Sequence, residues 1–164
     1  MSMVARTRVN DATDDTTDTD DGEARVSAGA FWPDIVLKEL RLAMRIPGRT
    51  TTSRLLHAAT EAVAHVTAEL EGWKQEQEAA GRSTLTDVPA AQINGESVNV
   101  HRYRRAVYAL TRAGVLERSR DVDTTDKGDR RADALDMQIE DMWRDARWAI
   151  SDIRGVKRIY AELI

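Results

Sequence analysis

Apolar residues recur every three or four positions in three long stretches of the chain, and that spacing predicts amphipathic helices. The first stretch runs through Leu55, Ala59, Ala62, Val66, Leu70 and Trp73. Thr50, Thr51, Thr52 and Ser53 precede it as candidate N-caps, and Gly81 follows Ala80 as its stop. The second stretch holds Val100, Tyr103, Val107, Leu110 and Gly114, and the cluster around Asp121–Asp129 breaks it. The third starts near Asp129 and reaches Arg154, with Leu135, Ile139, Met142, Ala146, Ile150 and Ile153 on one stripe and Gly155 as its end.

A shorter helix is expected ahead of these, through Ile35, Val36, Leu37, Leu40, Leu42 and Met44. Phe31-Trp32-Pro33-Asp34 opens it, with a proline suited to helix entry. Ile46-Pro47-Gly48 closes it, because proline disfavours helix in the residue before it and glycine permits a reversal. Residues 82–97 form the longest connection, with Pro89 and Asn94-Gly95 as turn signals, and Leu85, Val88 and Ile93 suggest that it packs on the bundle. Beyond a few residues nothing alternates as a strand would. The expected fold class is therefore all-α, a small bundle of about four helices: three long ones and a shorter first.

Charge divides the chain. Residues 1–30 hold six Asp and one Glu against Arg6, Arg8 and Arg25, which accounts for the whole net charge of −4. The segment has almost no large apolar groups to offset chain entropy, so it is expected to be a disordered acidic tail, either simply solvated or ordered by a partner. The remainder balances at 21 acidic against 21 basic side chains, where a dedicated DNA-binding domain normally shows a basic excess. Three segments result: the tail at 1–30, a helical domain at 31–154 and a short C-terminal extension at 155–164.

The absence of cysteine excludes disulfides and thiolate metal sites and points to a reducing compartment. No apolar run approaches the ~18 residues of a membrane span, and the N-terminus lacks the apolar core of a signal peptide. His57 and His65 lie too far apart along one helix to share a metal, and His101 lies elsewhere. Asp121, Asp123, Asp126 and Asp129 lack the ligand spacing of a calcium loop, and Asp129 is better read as a helix N-cap. There is no phosphate loop and no nucleophile elbow, so no catalytic residue, metal ligand or cofactor is assigned, and an enzyme is not expected.

Two surfaces are candidates for partners. On the last helix Trp148 falls nearly opposite the core stripe, beside Met137, while Trp143 sits at the stripe's edge. A second apolar seam often faces a second partner, although Trp148 could instead pack under its own C-terminal segment. On the preceding helix His101, Arg105, Tyr108 and Arg112 form a stripe away from the core, suited to phosphates, to an acidic neighbour or simply to solvent. Arg130 and Arg131 stand in the first turn of the last helix, against its dipole, which hints at an anionic contact or at pairing with Asp133 or Asp126.

The segments VDTTDKGDRRADALD at 122–136, MWRDARWAI at 142–150, DVPAAQINGESV at 87–98 and FWPDI at 31–35 resemble the phage head completion proteins, the L-type proteins of temperate myophages. The resemblance covers about residues 31–154 and rests on the four segments together and on their order. It implies a structural protein of the virion that acts after DNA packaging, makes filled heads resistant to nuclease and binds the portal vertex as a head–tail connector. Analogy with other small helical connectors implies a ring matching the portal, with twelvefold symmetry expected. The implied partners are the portal protein, neighbouring copies, a tail or tail-completion protein and, at most non-specifically, packaged DNA; no membrane is involved. Met137 and Trp148, with Ile159, Tyr160 and Ile164 of the C-terminal extension, are then the candidate subunit or portal contacts. His101, Arg105, Arg112, Arg130 and Arg131 are the candidate contacts to DNA or to an acidic partner. The alternative is a helical DNA-binding protein, a small packaging subunit or regulator, which would need a short recognition helix behind a tight turn and a basic face.

Overall fold

The structure, a computed structural model, describes residues 20–119 and 128–156, without the side chains of 128–130. Among the described residues five α-helices carry the fold: α1 (Leu37–Met44), α2 (Thr52–Glu69), α3 (Glu71–Ala79), α4 (Val98–Ser119) and α5 (Gly128–Arg154). Two antiparallel pairs of two-residue strands accompany them, β1 (Arg25–Val26) with β2 (Ile35–Val36), and β3 (Gln92–Ile93) with β4 (Glu96–Ser97). The mainly helical expectation holds. Several details differ.

The long helix expected from the Thr50–Ser53 caps to Ala80 is two helices, joined at the buried Leu70 (φ −97°, ψ 3°). Gly72, two residues on, weakens helix continuity. Thr51 is the cap, its Oγ accepting from the Arg54 N–H at 3.3 Å, and Gly81 (φ +87°) stops α3. The strands were not expected, because two residues are too few to show alternation. In the second pair Asn94 (φ +51°) and Gly95 (φ +74°) turn the hairpin; a two-residue loop with both φ values positive suits the twist of paired strands. Leu85 and Val88 of the connection are buried as expected, but Ile93 is half exposed on the hairpin. Finally, α5 starts at Gly128, which puts Asp129 inside the first turn instead of at the N-cap.

The folded body also begins earlier than Phe31. Asp21 is 4 % exposed, Ala24 accepts from the Leu37 N–H at 3.0 Å, and Val26 is buried in the core. Arg41 forks onto Asp21 (Nε–Oδ2 2.5 Å, Nη2–Oδ1 2.9 Å), and the Thr52 hydroxyl donates to Oδ1 at 2.7 Å. The Arg41 hydrogen bond, helped by Thr52 and opposed by burial, holds the Asp21 carboxyl below the usual aspartate value. A charged residue in an otherwise polar segment thus becomes an anchor, a role its local composition does not show. Residues 1–19 of the expected tail lie outside the described residues.

The core gathers at the junction of these elements. Trp32 stacks on Tyr103 (centroids 4.9 Å, 14° between planes), and Phe31 meets Trp32 edge-on at 4.8 Å. Buried Leu37, Leu40, Leu55, Val66 and Leu70 close the cluster from α1 and α2. Between α4 and α5 the packing is built on small side chains, with Ala106, Ala109 and Ala113 on one helix and Ala146 and Ala149 on the other, all buried. Ser97 accepts from the Asn99 N–H at 3.3 Å and so caps α4.

Candidate interaction surfaces

Two parts of the surface have the chemistry of contact sites: the outward face of α5 and a cleft at the C-terminal end of that helix. Alpha-helical periodicity builds the first. Ile139, Ala146, Ile150 and Ile153 are buried against the bundle, which turns Met137, Asp141, Arg144 and Trp148 outward at spacings of four, three and four. Met137 is 67 % exposed and Trp148 39 %. Arg144 donates to Asp141 at 2.6 Å and lies over the Trp148 ring, 5.3 Å from its centroid. The seam is therefore apolar at two points about 16 Å apart along the axis, with a charged pair between them. Trp143, at the stripe's edge, is half buried: its Nε1 donates to Glu117 at 3.1 Å and its ring meets His65 edge-on.

The basic stripe of α4 is occupied by the chain's own groups. Arg105 pairs with Asp145 of α5 through Nε at 3.0 Å and through Nη2. Arg112 donates to the Met44 carbonyl at the end of α1, and His101 faces the Ile93 carbonyl at 3.3 Å and Glu96 at 3.8 Å. Tyr108 is half buried, and burial followed by the nearby Glu39 pushes its hydroxyl pKa up. A stripe suited to phosphate, an acidic neighbour or solvent also ties α4 to α5, α1 and the hairpin. Arg131 is exposed in the early part of α5; the side chain of Arg130, like Ile159, Tyr160 and Ile164, lies outside the described residues. Of the ten residues that the sequence groups as two surfaces, the described ones place Met137 and Trp148 on one outward face of α5 and His101, Arg105 and Arg112 along α4.

The cleft was not foreseen. It is an open cleft of about 500 Å³ between the start of α4, α3, the connection before the hairpin and the end of α5. Trp73, Val88, Val98 and Ile153 give it an apolar lining, and Arg82, Asn99, Arg102 and Arg154 a polar one. Its walls come from sequence positions too far apart for any local pattern to reveal it. Arg102 donates to Asn99 Oδ1 at 3.3 Å and to the Asp152 carbonyl at 3.4 Å, bracing the two helix ends. Among the described residues no His, Cys, Asp and Glu side chains are grouped to hold a metal ion, and no helix is long and apolar enough to cross a membrane.

Comparison with known proteins places these surfaces in context. A family model, the phage head completion protein (GPL), matches residues 26–164, which includes the β1 residue Val26. The head completion/stabilization protein of Escherichia phage P2 is 43 % identical over 128 residues, 78 % of this chain and 76 % of that protein. No solved structure matches.

Proposed function

The chain belongs to the phage head completion proteins, and from that premise we propose that it closes the DNA-filled head by binding the portal vertex as a head–tail connector ring. A structural role in phage head assembly follows from the family itself. The observation that carries the finer reading is the outward face of α5, where a large aromatic and a methionine stay exposed on a helix whose other side is well buried. Exposed aromatics of this kind anchor interfaces. Packaged DNA pushes outward, so the portal channel has to be extended and narrowed after packaging. Copies set side by side around the portal do this through heterologous contacts that close by rotation. In this reading Met137 and Trp148 meet a neighbouring copy, and the C-terminal residues Ile159, Tyr160 and Ile164 reach the portal or a neighbour. The twelvefold count follows the portal and is part of the same proposal.

No described contact favours the DNA-binding alternative, since the side chains it would use on α4 are engaged within the chain. The deciding experiment is light-scattering chromatography of the protein alone and with its cognate portal ring. Co-elution at about one copy per portal subunit is expected. No association at any salt concentration, with sequence-selective duplex binding instead, would replace the connector by the DNA-binding reading.

A further inference from the structure

The outward face of α5 is acidic as well as apolar, and that decides what can cover it. Residues 133–141 hold four carboxylates and no basic side chain. Asp133, Glu140 and Asp141 are exposed around the exposed Met137. At 100° per residue these four positions fall within about 100° of one another around the helix. A second copy of the same face would set carboxylate against carboxylate, and like charges across an interface oppose binding. The self-complementary contact of a twofold dimer is therefore disfavoured. A ring contact joins two different surfaces, and this seam needs a second one of opposite sign.

Helix α1 supplies it. Leu42 is 72 % exposed, the most exposed large apolar side chain among the described residues. Lys38 lies one turn before it and Arg45 one turn after, both exposed, and the exposed Arg49 follows in the connection to α2. Glu39 is the one acid between positions 38 and 49. Among the described residues neither Lys38 nor Arg45 forms a salt bridge. The two patches also look in different directions. Thr52 of α2 holds the Asp21 carboxylate that pairs with Arg41 of α1, whereas His65 of α2 meets Trp143 of α5. Those two positions stand about 140° apart around α2, so α1 and α5 occupy different sides of it, as neighbours in a ring require. We propose that the acidic half of the α5 seam docks on α1 of the next copy. Leu42 then packs on Met137, and Lys38 and Arg45 meet Asp133 and Glu140. With eight residues α1 is about 12 Å long, so it covers the Met137 half of the seam and not Trp148. The inference rests on the connector reading, which requires two unlike contact surfaces, and it names the second.

The chain has no cysteine, so introduced cysteines report the contact directly. Leu42→Cys protein is mixed with Met137→Cys protein, and Glu76→Cys on α3 replaces either one as control. Ala43→Cys and Ala134→Cys, one exposed position on each patch, repeat the test for a slightly rotated contact. Oxidation is followed on the portal ring and, separately, with free protein at about 1 mM, where contacts of millimolar affinity are populated. At least one cross-patch disulfide is expected to form between chains at least tenfold faster than same-patch or control disulfides, because a bridge needs Cα atoms within ~7 Å. Equal rates in both settings overturn the proposal. So does a fastest bridge between two copies of position 137, which makes the contact self-complementary. Charge gives a second reading. Lys38→Glu/Arg45→Glu on the Leu42→Cys chain is expected to slow the bridge at least tenfold, and Asp133→Lys/Glu140→Lys on the Met137→Cys chain to restore it. Absence of rescue overturns the assigned pairing. Portal co-elution separates the two failures. Portal binding without a cross-patch bridge sinks this contact alone, and a cross-patch bridge in free protein without portal binding sinks the portal reading alone.

Discussion

Tyr103 and Asp21 show opposite ways of burying a polar atom. The Tyr103 hydroxyl is fully buried with no hydrogen-bond partner, and burial followed by the charge of Asp34 pushes its pKa far up. A buried group without a partner costs about 1–3 kcal/mol. Tyr103→Phe keeps the stack on Trp32 and removes the cost, so urea denaturation is expected to show equal or higher stability, by up to about 1 kcal/mol. A clear loss would mean that the hydroxyl has a partner in solution. Asp21 is satisfied by three donors and ties the chain before β1 to α1 and α2. Asp21→Ala strands a nearly buried Arg41, and breaking such a pair costs about 3–5 kcal/mol. Because the folded carboxyl has a lowered pKa, its contribution is complete above the ordinary aspartate value of 3.8 and is lost as the pH falls from there through the lower folded value. Acid titration followed by far-ultraviolet circular dichroism is expected to show wild type losing stability in that window. The Asp21→Ala variant is expected to lose less.

At the scale of elements, α4 and α5 were legible because many turns repeat one period, and Val100, Tyr103, Val107 and Leu110 are all buried as their spacing requires. The hairpin at 92–97 was legible only as a turn, since each of its strands spans a single period of alternation. The junction at Leu70 escaped because Leu70 continues the apolar stripe of α2 while the backbone changes course. The α4 stripe could be placed away from the core, but not its neighbours within the chain: periodicity gives a side chain's direction, not what fills the space before it. Arg105 and Arg112 bind α5 and α1, so the double variant Arg105→Ala/Arg112→Ala is expected to lower the melting temperature by several degrees. Duplex affinity in a gel shift should stay unchanged. A protein of unchanged stability that lost DNA binding would return these residues to a phosphate contact. Trp148→Ala, by contrast, removes an exposed ring from α5 and is expected to leave helix content intact while weakening binding to the portal ring at least tenfold. Normal binding would remove the outward face of α5 from the interface.

For the whole molecule, the distribution of surface features bears on how assembly is timed. A connector subunit that formed rings freely would compete with its own docking on the portal, so the proposed role would gain from weak self-contact and strong templating. The outward seam of α5 fits that requirement, since its two apolar points are separated by the Asp141–Arg144 pair and give little continuous apolar area. Isolated protein is therefore expected to remain monomeric by light scattering up to about 100 µM, below the area a stable interface of about 1,200–2,000 Å² would demand from this seam alone. In the proposed connector reading, adjacent copies on the portal would be held at high effective concentration, and the same weak contact would then close the ring. The measurable consequence is cooperativity: portal titrated with sub-stoichiometric protein should separate into fully occupied and empty rings. A statistical spread of partly filled rings would mean that each copy binds the portal alone and that the α5 seam contributes nothing between neighbours.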